Sequence, residues 1–156
     1  MWRKILILSA VLVFFSLFLS CDKQLIYNQF ISIDNQSWEW DSPIDFSFQI
    51  DDTTTLHNIY LYVRHSVDYP VSNLYMFVDV EGPSGRALND TINFILAKKS
   101  GEWIGNGISK TREIGYLYRK KTVFPEKGTY QISIEQAMRI SELPVKDVGV
   151  RIEKLK

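Results

Sequence analysis

The chain has 156 residues, 18 basic and 18 acidic side chains, a formal net charge of zero, two histidines and a single cysteine. That length suits one ordinary domain, and the even charge gives no electrostatic footprint for nucleic acid. One cysteine excludes an internal disulfide, and two histidines leave little from which to build a metal site or a nucleophile–base pair.

The amino terminus comes first in chain order. Met1-Trp2-Arg3-Lys4 carries two positive charges, Ile5 to Leu19 is apolar apart from Ser9 and Ser16, and Ser20-Cys21 follows. A basic segment, an apolar segment and a small residue before the cut spell a secretory signal peptide. A cysteine immediately after the cut makes it a lipoprotein signal, with residues 1–20 removed and Cys21 carrying the lipid. The apolar run is shorter than the roughly 20 residues that span a bilayer, and a free thiol is unusual in an oxidising compartment. One acyl chain binds a bilayer only marginally, whereas two anchor it stably. The expectation is a chain held to the lipid bilayer through acylated Cys21, with residues 21–25 as a tether and residues 26–156 as a single domain. Loss of the leader leaves 16 basic against 18 acidic residues.

Beyond the tether the hydrophobic period is two. Ile44, Phe46, Phe48 and Ile50 alternate with polar residues, and Ile59, Leu61 and Val63 alternate with Tyr60, Tyr62 and Arg64. Leu74, Met76, Val78 and Val80 follow, then Tyr130, Ile132 and Ile134, then Val148, Val150 and Ile152. Such alternation marks strands with one face in a core and one in water. Weaker strand signals cover Leu25–Ser32, Arg86–Leu96 and Tyr116–Val123, and one helical turn is expected at Glu135–Ile140. Turn chemistry separates these runs at Asp51–Thr55, Glu81–Gly85, Lys99–Gly101 and Phe124–Gly128. The reading is an all-β, two-sheet β-sandwich of seven to nine short antiparallel strands. Immunoglobulin-like and jelly-roll wiring both fit the pattern. Arg119-Lys120-Lys121 reads as a solvated edge or face.

Chemistry is sparse. His57 and His65 read as solvent-facing or locally bonded side chains, not as catalytic bases. No HExxH or CxxC spacing offers a metal site, and Asp51-Asp52 is explained by turn capping more simply than by calcium. Gly101, Gly105 and Gly107 lack the strand-to-helix context of a phosphate loop. The residues therefore point to a protein that is not an enzyme and needs no cofactor.

Aromatic residues are the stronger lead. Trp38, Trp40 and Trp103 either plug the ends of the sandwich or form a platform for a sugar or peptide. Tyr60 and Tyr62, with Tyr75 and Phe77, fall on the side opposite the aliphatic core residues. They are either covered by a second layer or form a patch of the kind that marks a protein interface. Asp68–Asn73 is a stiff connection or a loop that presents Tyr69 to a partner. The candidate interaction residues are Tyr60, Tyr62, Tyr69 and Trp103.

Several of these stretches resemble one family. Asn58–Arg64, Asp68-Tyr69-Pro70, Ser72-Asn73-Leu74, the Gly101-Glu102-Trp103-Ile104-Gly105-Asn106-Gly107 loop, Phe124–Tyr130, Glu135–Arg139, Leu143-Pro144 and Asp147–Glu153 match, in order, the gliding-motility lipoprotein GldH family of Bacteroidetes. The likeness runs from about Tyr27 to Glu153. It implies a cell-envelope lipoprotein, needed for gliding in gliding species and linked there to the type IX secretion and motility machinery. It implies no catalytic residue, and relatives also occur in species that do not glide. Asp52-Thr53-Thr54 and Asp90-Thr91-Ile92 are similar to sites O-glycosylated on exported proteins of these bacteria, which marks Thr53 and Thr91, although both suit an ordinary turn or strand. The expectation is a non-catalytic accessory that binds other envelope proteins, anchored outside the cytoplasm at the periplasmic side of the outer membrane. The alternative is a lipid-tethered glycan-binding β-sandwich module built on Trp38, Trp40 and Trp103.

Overall fold

In the computed structural model, residues 24–155 are described. Residues 1–20, read above as a signal peptide, and Cys21 lie outside them. Ten strands follow one another: β1 (Leu25–Ser32), β2 (Trp38–Glu39), β3 (Ile44–Ile50), β4 (His57–Ser66), β5 (Asn73–Glu81), β6 (Ala87–Ile95), β7 (Thr111–Thr122), β8 (Gly128–Gln136), β9 (Glu142–Leu143) and β10 (Val145–Lys154). They form two four-stranded antiparallel sheets, in the orders β1-β10-β4-β7 and β3-β8-β5-β6, and a small β2-β9 ribbon. With the two short ribbon strands set aside, the first sheet takes the first, eighth, third and sixth strands and the second takes the second, seventh, fourth and fifth. That order is jelly-roll wiring and excludes the immunoglobulin alternative.

The alternation read from the sequence fixes which face turns inward. In β3, Ile44, Phe46, Phe48 and Ile50 are buried while Asp45, Ser47 and Gln49 are exposed. In β4, Ile59, Leu61 and Val63 are buried, and in β10 Val148, Val150 and Ile152 are fully buried. Opposite them lie Leu74, Met76, Val78, Ile132 and Ile134, all with no exposed surface. Each such side chain contributes about 1.5–3 kcal/mol by leaving water.

One edge of the sandwich is closed by β1 against β3, through Tyr27 and Phe48 with ring centroids 5.5 Å apart. The other is closed by β7 against β6. There the Tyr118 hydroxyl donates to Asp90 at 2.5 Å, Arg119 pairs with the same carboxylate, and Tyr116 packs on Phe94. Lys120 and Lys121 are exposed on this edge strand.

The weak strand signal at Leu25–Ser32 coincides with β1, so Leu25, also assigned to the tether, opens a strand. Two expectations change. β7 starts at Thr111, five residues before the sequence signal, because Thr111–Gly115 pair with Ser66–Tyr62 although Arg112 and Glu113 hide the alternation. No helical turn forms at Glu135–Ile140: β8 runs on to Gln136, whose buried amide folds the chain around itself. Its Nε2 donates to the Ile140 carbonyl at 3.0 Å and its Oε1 accepts from the Met138 N–H at 3.0 Å. A side chain thereby takes the bonds a helical turn would have supplied.

Ile132 and Gln131 are neighbours on β8, one buried and one exposed. Ile132→Asp should cost more than about 4 kcal/mol by placing an unpaired carboxylate in the core, whereas Gln131→Asp should stay within about 1 kcal/mol. Urea unfolding of the two variants checks the facing; equal damage would reverse it.

Candidate interaction surface

The outer face of the β1-β10-β4-β7 sheet is ordered in rows set by strand register. One row reads Phe30–Gly149–Tyr62–Gly115. A methyl group on Gly149 would lie 2.7 Å from the Phe30 ring, and one on Gly115 would lie 2.6 Å from the Tyr62 ring. Both rings therefore lie over glycines of the next strand, in the manner of aromatic side chains that cover strand glycines. Phe30 and Tyr62 also meet each other, with centroids 5.5 Å apart.

The flanking rows hold these rings in place. On one side Ser32, Asp147, Arg64 and Glu113 align. The Ser32 hydroxyl donates to Asp147 at 2.6 Å, Arg64 Nε donates to Glu113 at 2.5 Å, and the Arg64 guanidinium lies 4.1 Å from the Phe30 ring centroid. On the other side Asn28, Arg151, Tyr60 and Leu117 align. Arg151 pairs with Glu153 at 2.5 Å, and Asn58 donates to the Tyr60 hydroxyl at 3.2 Å. Ion pairs this exposed add little stability. Their effect here is to limit the positions of the side chains around Phe30, Tyr60 and Tyr62. The result is a flat, half-exposed aromatic surface with a polar rim, a composition typical of protein interfaces.

Tyr75 and Phe77 do not belong to this surface. They are exposed on the outer face of the other sheet, on β5. Trp40 and Met138 lie near Phe77, and the Trp40 indole donates to the Met138 carbonyl at 2.6 Å. Ile95 of β6 is exposed on the same face, and farther along it Asp45, Ser133, Asp79 and Asn89 form one polar row.

Two candidate residues are packing groups. Tyr69 is 4% exposed, with its hydroxyl donating to the Asn73 carbonyl and its ring against His65, so the loop does not present it to a partner. A tyrosine whose phenol finds a backbone acceptor is more stable inside the loop than on it. Trp103 is half-buried, its ring 4.7 Å from that of His65. Trp38 is 1% exposed in the core and Trp40 is exposed on the surface. The three tryptophans therefore do not share one exposed platform. Gly105 and Gly107 bring the Trp103 loop against β7: a methyl on Gly107 would lie 2.0 Å from the Thr111 carbonyl.

His57 and His65 are also inside, 1% and 0% exposed, which removes the solvent-facing alternative and leaves local bonding, seen at His65. They mark the two ends of β4. His57 packs on Phe124, within an aromatic group that includes Phe48 and Tyr130. His65 Nδ1 lies 2.8 Å from its acceptor, the Ser66 carbonyl, while among the described residues its Nε2 has no partner, nor does Nδ1 of His57. Burial pushes both imidazoles below their ordinary range; Lys154 adds to this at His57 and Arg112 at His65, while Asp52 near His57 acts the other way.

The remaining candidates sit apart. Asp52 caps its own turn, accepting from the Thr54 N–H and from the Thr54 and Thr55 hydroxyls, which holds its carboxyl well below the usual range. Thr53 is half-buried in that turn, and Thr91 is exposed on β6. Among the described residues no three His, Cys, Asp or Glu side chains cluster as metal ligands, and no helix is long and apolar enough to cross a membrane.

Residues 25–152 match the GldH lipoprotein family. A gliding motility lipoprotein GldH homolog of Christiangramia forsetii is 36% identical over 146 residues, covering 88% of this chain and 89% of that protein. The gliding motility lipoprotein GldH of Flavobacterium johnsoniae is 34% identical over 158 residues, covering 96% of this chain and 94% of that protein. Among solved structures, a family GH115 4-O-methyl-alpha-glucuronidase is similar over 88% of this chain and 18% of its own, at TM-score 0.43 and 12% identity. The VP2 subviral particle of infectious bursal disease virus is similar at TM-score 0.38 and 15% identity, over 86% of this chain and 34% of its own. The chain belongs to the GldH lipoprotein family.

The buried histidines set a pH dependence. Their folded-state affinity for a proton is below that of the unfolded chain, so unfolding takes up protons once the pH drops below about 6.5. Stability should be flat above that value and fall as the pH falls through the window beneath it. Urea midpoints at pH 7.5, 6.5 and 5.5 measure this, and a midpoint that rises on acidification would contradict it.

Proposed function

We propose that this GldH-family lipoprotein is a non-catalytic component of the gliding-motility apparatus and its associated type IX secretion machinery, held in the cell envelope by a lipid on Cys21 and acting by contact with another envelope protein. The observation that carries the reading is the Phe30–Gly149–Tyr62–Gly115 row with Tyr60 beside it. Aromatic rings held over glycines and ringed by paired charges form a rigid contact surface that loses little entropy when covered. A non-catalytic role accords with both imidazoles being sealed in the core. The address accords with the signal before Cys21, and the periplasmic side of the outer membrane is the proposed location.

A partner that docks here would cover Phe30, Tyr60, Tyr62 and Leu117, with Arg64 and Arg151 at the rim. The glycan-binding alternative loses its platform, because Trp38 lies in the core and Trp103 packs on His65.

Deleting the gene in a gliding host should abolish spreading on agar, and the wild-type gene should restore it. A Tyr60→Ser/Tyr62→Ser double variant should fail to restore it while keeping a cooperative melt and wild-type abundance. A deletion strain that glides and secretes normally would reject the role, and full rescue by the double variant would reject the surface.

A further inference from the structure

The connections divide unequally between the two ends of the sandwich. Residues 33–43, 67–72, 96–110 and 137–144 link strands at one end, which holds the three longest connections, and the short segments 51–56, 82–86 and 123–127 link them at the other. Gln24 lies at the short-turn end, where the Lys154 N–H donates to its carbonyl at 2.8 Å and the Leu155 N–H donates to that of Leu56 at 2.8 Å. The chain therefore enters the fold beside the end of β10 and the start of β4.

Only three residue steps separate Cys21 from Gln24. Fully extended, they reach at most about 11 Å. The polar layer of one leaflet is about 5–8 Å thick. With its acyl chains in the hydrocarbon, Cys21 can hold Gln24 at most about 3–6 Å beyond the headgroup layer, so this end stays against the membrane surface. Resting on the lipidation of Cys21 argued above, we propose that the short-turn end lies on the bilayer surface, with Leu56 and Val123 in the headgroup layer and the end that holds the long loops turned away from the membrane.

The chemistry of that end fits a lipid surface. Leu56 and Val123 are 40% and 44% exposed, and they flank the paired residues His57 and Thr122, so they lie side by side. Arg86, Lys120, Lys121, Lys127 and Lys154 surround them, with none in an ion pair among the described residues. Of the nearby carboxylates among the described residues, Asp52 is tied to Thr54 and Thr55, Glu126 to the Ser84 N–H and hydroxyl, and Glu153 to Arg151, which leaves Asp51 and Glu81. Cations able to meet lipid phosphates thus outnumber the acids left without a bond of this kind. Ile108, 91% exposed in a long loop, belongs to the opposite end.

The test uses the full chain, processed in its host and reconstituted in phosphatidylethanolamine vesicles with a minority of phosphatidylglycerol. Leu56→Cys, Val123→Cys and Ile108→Cys each carry an environment-sensitive fluorophore, and the vesicles contain lipids with a nitroxide at the headgroup. Quenching should be at least about threefold stronger at positions 56 and 123 than at 108, with a blue shift at the first two only. Equal quenching at all three positions, or stronger quenching at 108, on protein that floats with the vesicles would overturn the orientation. Protein whose Cys21 bears no lipid by mass spectrometry and that fails to float would overturn the lipidation reading and the orientation with it.

Discussion

β10 is the last strand in the chain, and the first sheet depends on it. It lies between β1 and β4, and its register decides both faces at once. Val148, Val150 and Ile152 point into the core, so Gly149 must point outward, where Phe30 and Tyr62 converge. A slip of one residue would turn the valines to solvent and drive a side chain into the Phe30 ring, so the alternative register is penalised twice. The same pairing joins the start of the fold to its end. β1 has β10 as its sheet neighbour, so the strand that leads to the tether is fixed only when the carboxy-terminal strand is in place. Pairings so distant in sequence favour slow folding.

From that constraint the working parts of the molecule separate in space. Jelly-roll wiring sends alternate connections to opposite ends, and the long ones fall together, away from Gln24. The aromatic rows run along a side of the sandwich, neither under the lipid-proximal end nor hidden by the opposing sheet. A domain lying against a bilayer by its short turns would offer this face laterally, to a neighbour in the same membrane or spanning from it. The outer face of the second sheet carries exposed apolar side chains at Trp40, Tyr75, Phe77 and Ile95, without the glycine-seated aromatic rows of the first.

The strands were legible because burial on one side writes a period of two into the sequence, as at Ile44–Ile50 and His57–Arg64. Their partners were not, because nothing local states that Val148–Ile152 pairs with both Ile59–Val63 and residues 25–32. The placement of Tyr60 and Tyr62 on the outer face followed from alternation, yet Tyr75 and Phe77 proved to be on a different sheet, since parity gives a side and not a neighbour. Phe30 escaped notice for lack of a strict pattern in β1. Gly149 did carry a signal: an isolated glycine in a strong strand marks a close approach. For His57, His65 and Tyr69 the sequence left a solvent-facing or presented alternative open, because polarity suggests water, while their rings are large enough to seal the ends of a sandwich. The single turn expected after Glu135 failed because one buried amide, on Gln136, outcompeted helical bonding.

The central claim is that the outer face of the β1-β10-β4-β7 sheet meets another envelope protein. Its most direct measurement is site-specific photo-crosslinking in living cells, with a photoreactive phenylalanine in place of Tyr60 on this face and of Ser133 on the opposite sheet. The account predicts one discrete heavier species from position 60 and none from position 133. Crosslinks from position 133 alone, or none from position 60 in cells that still glide, would contradict it.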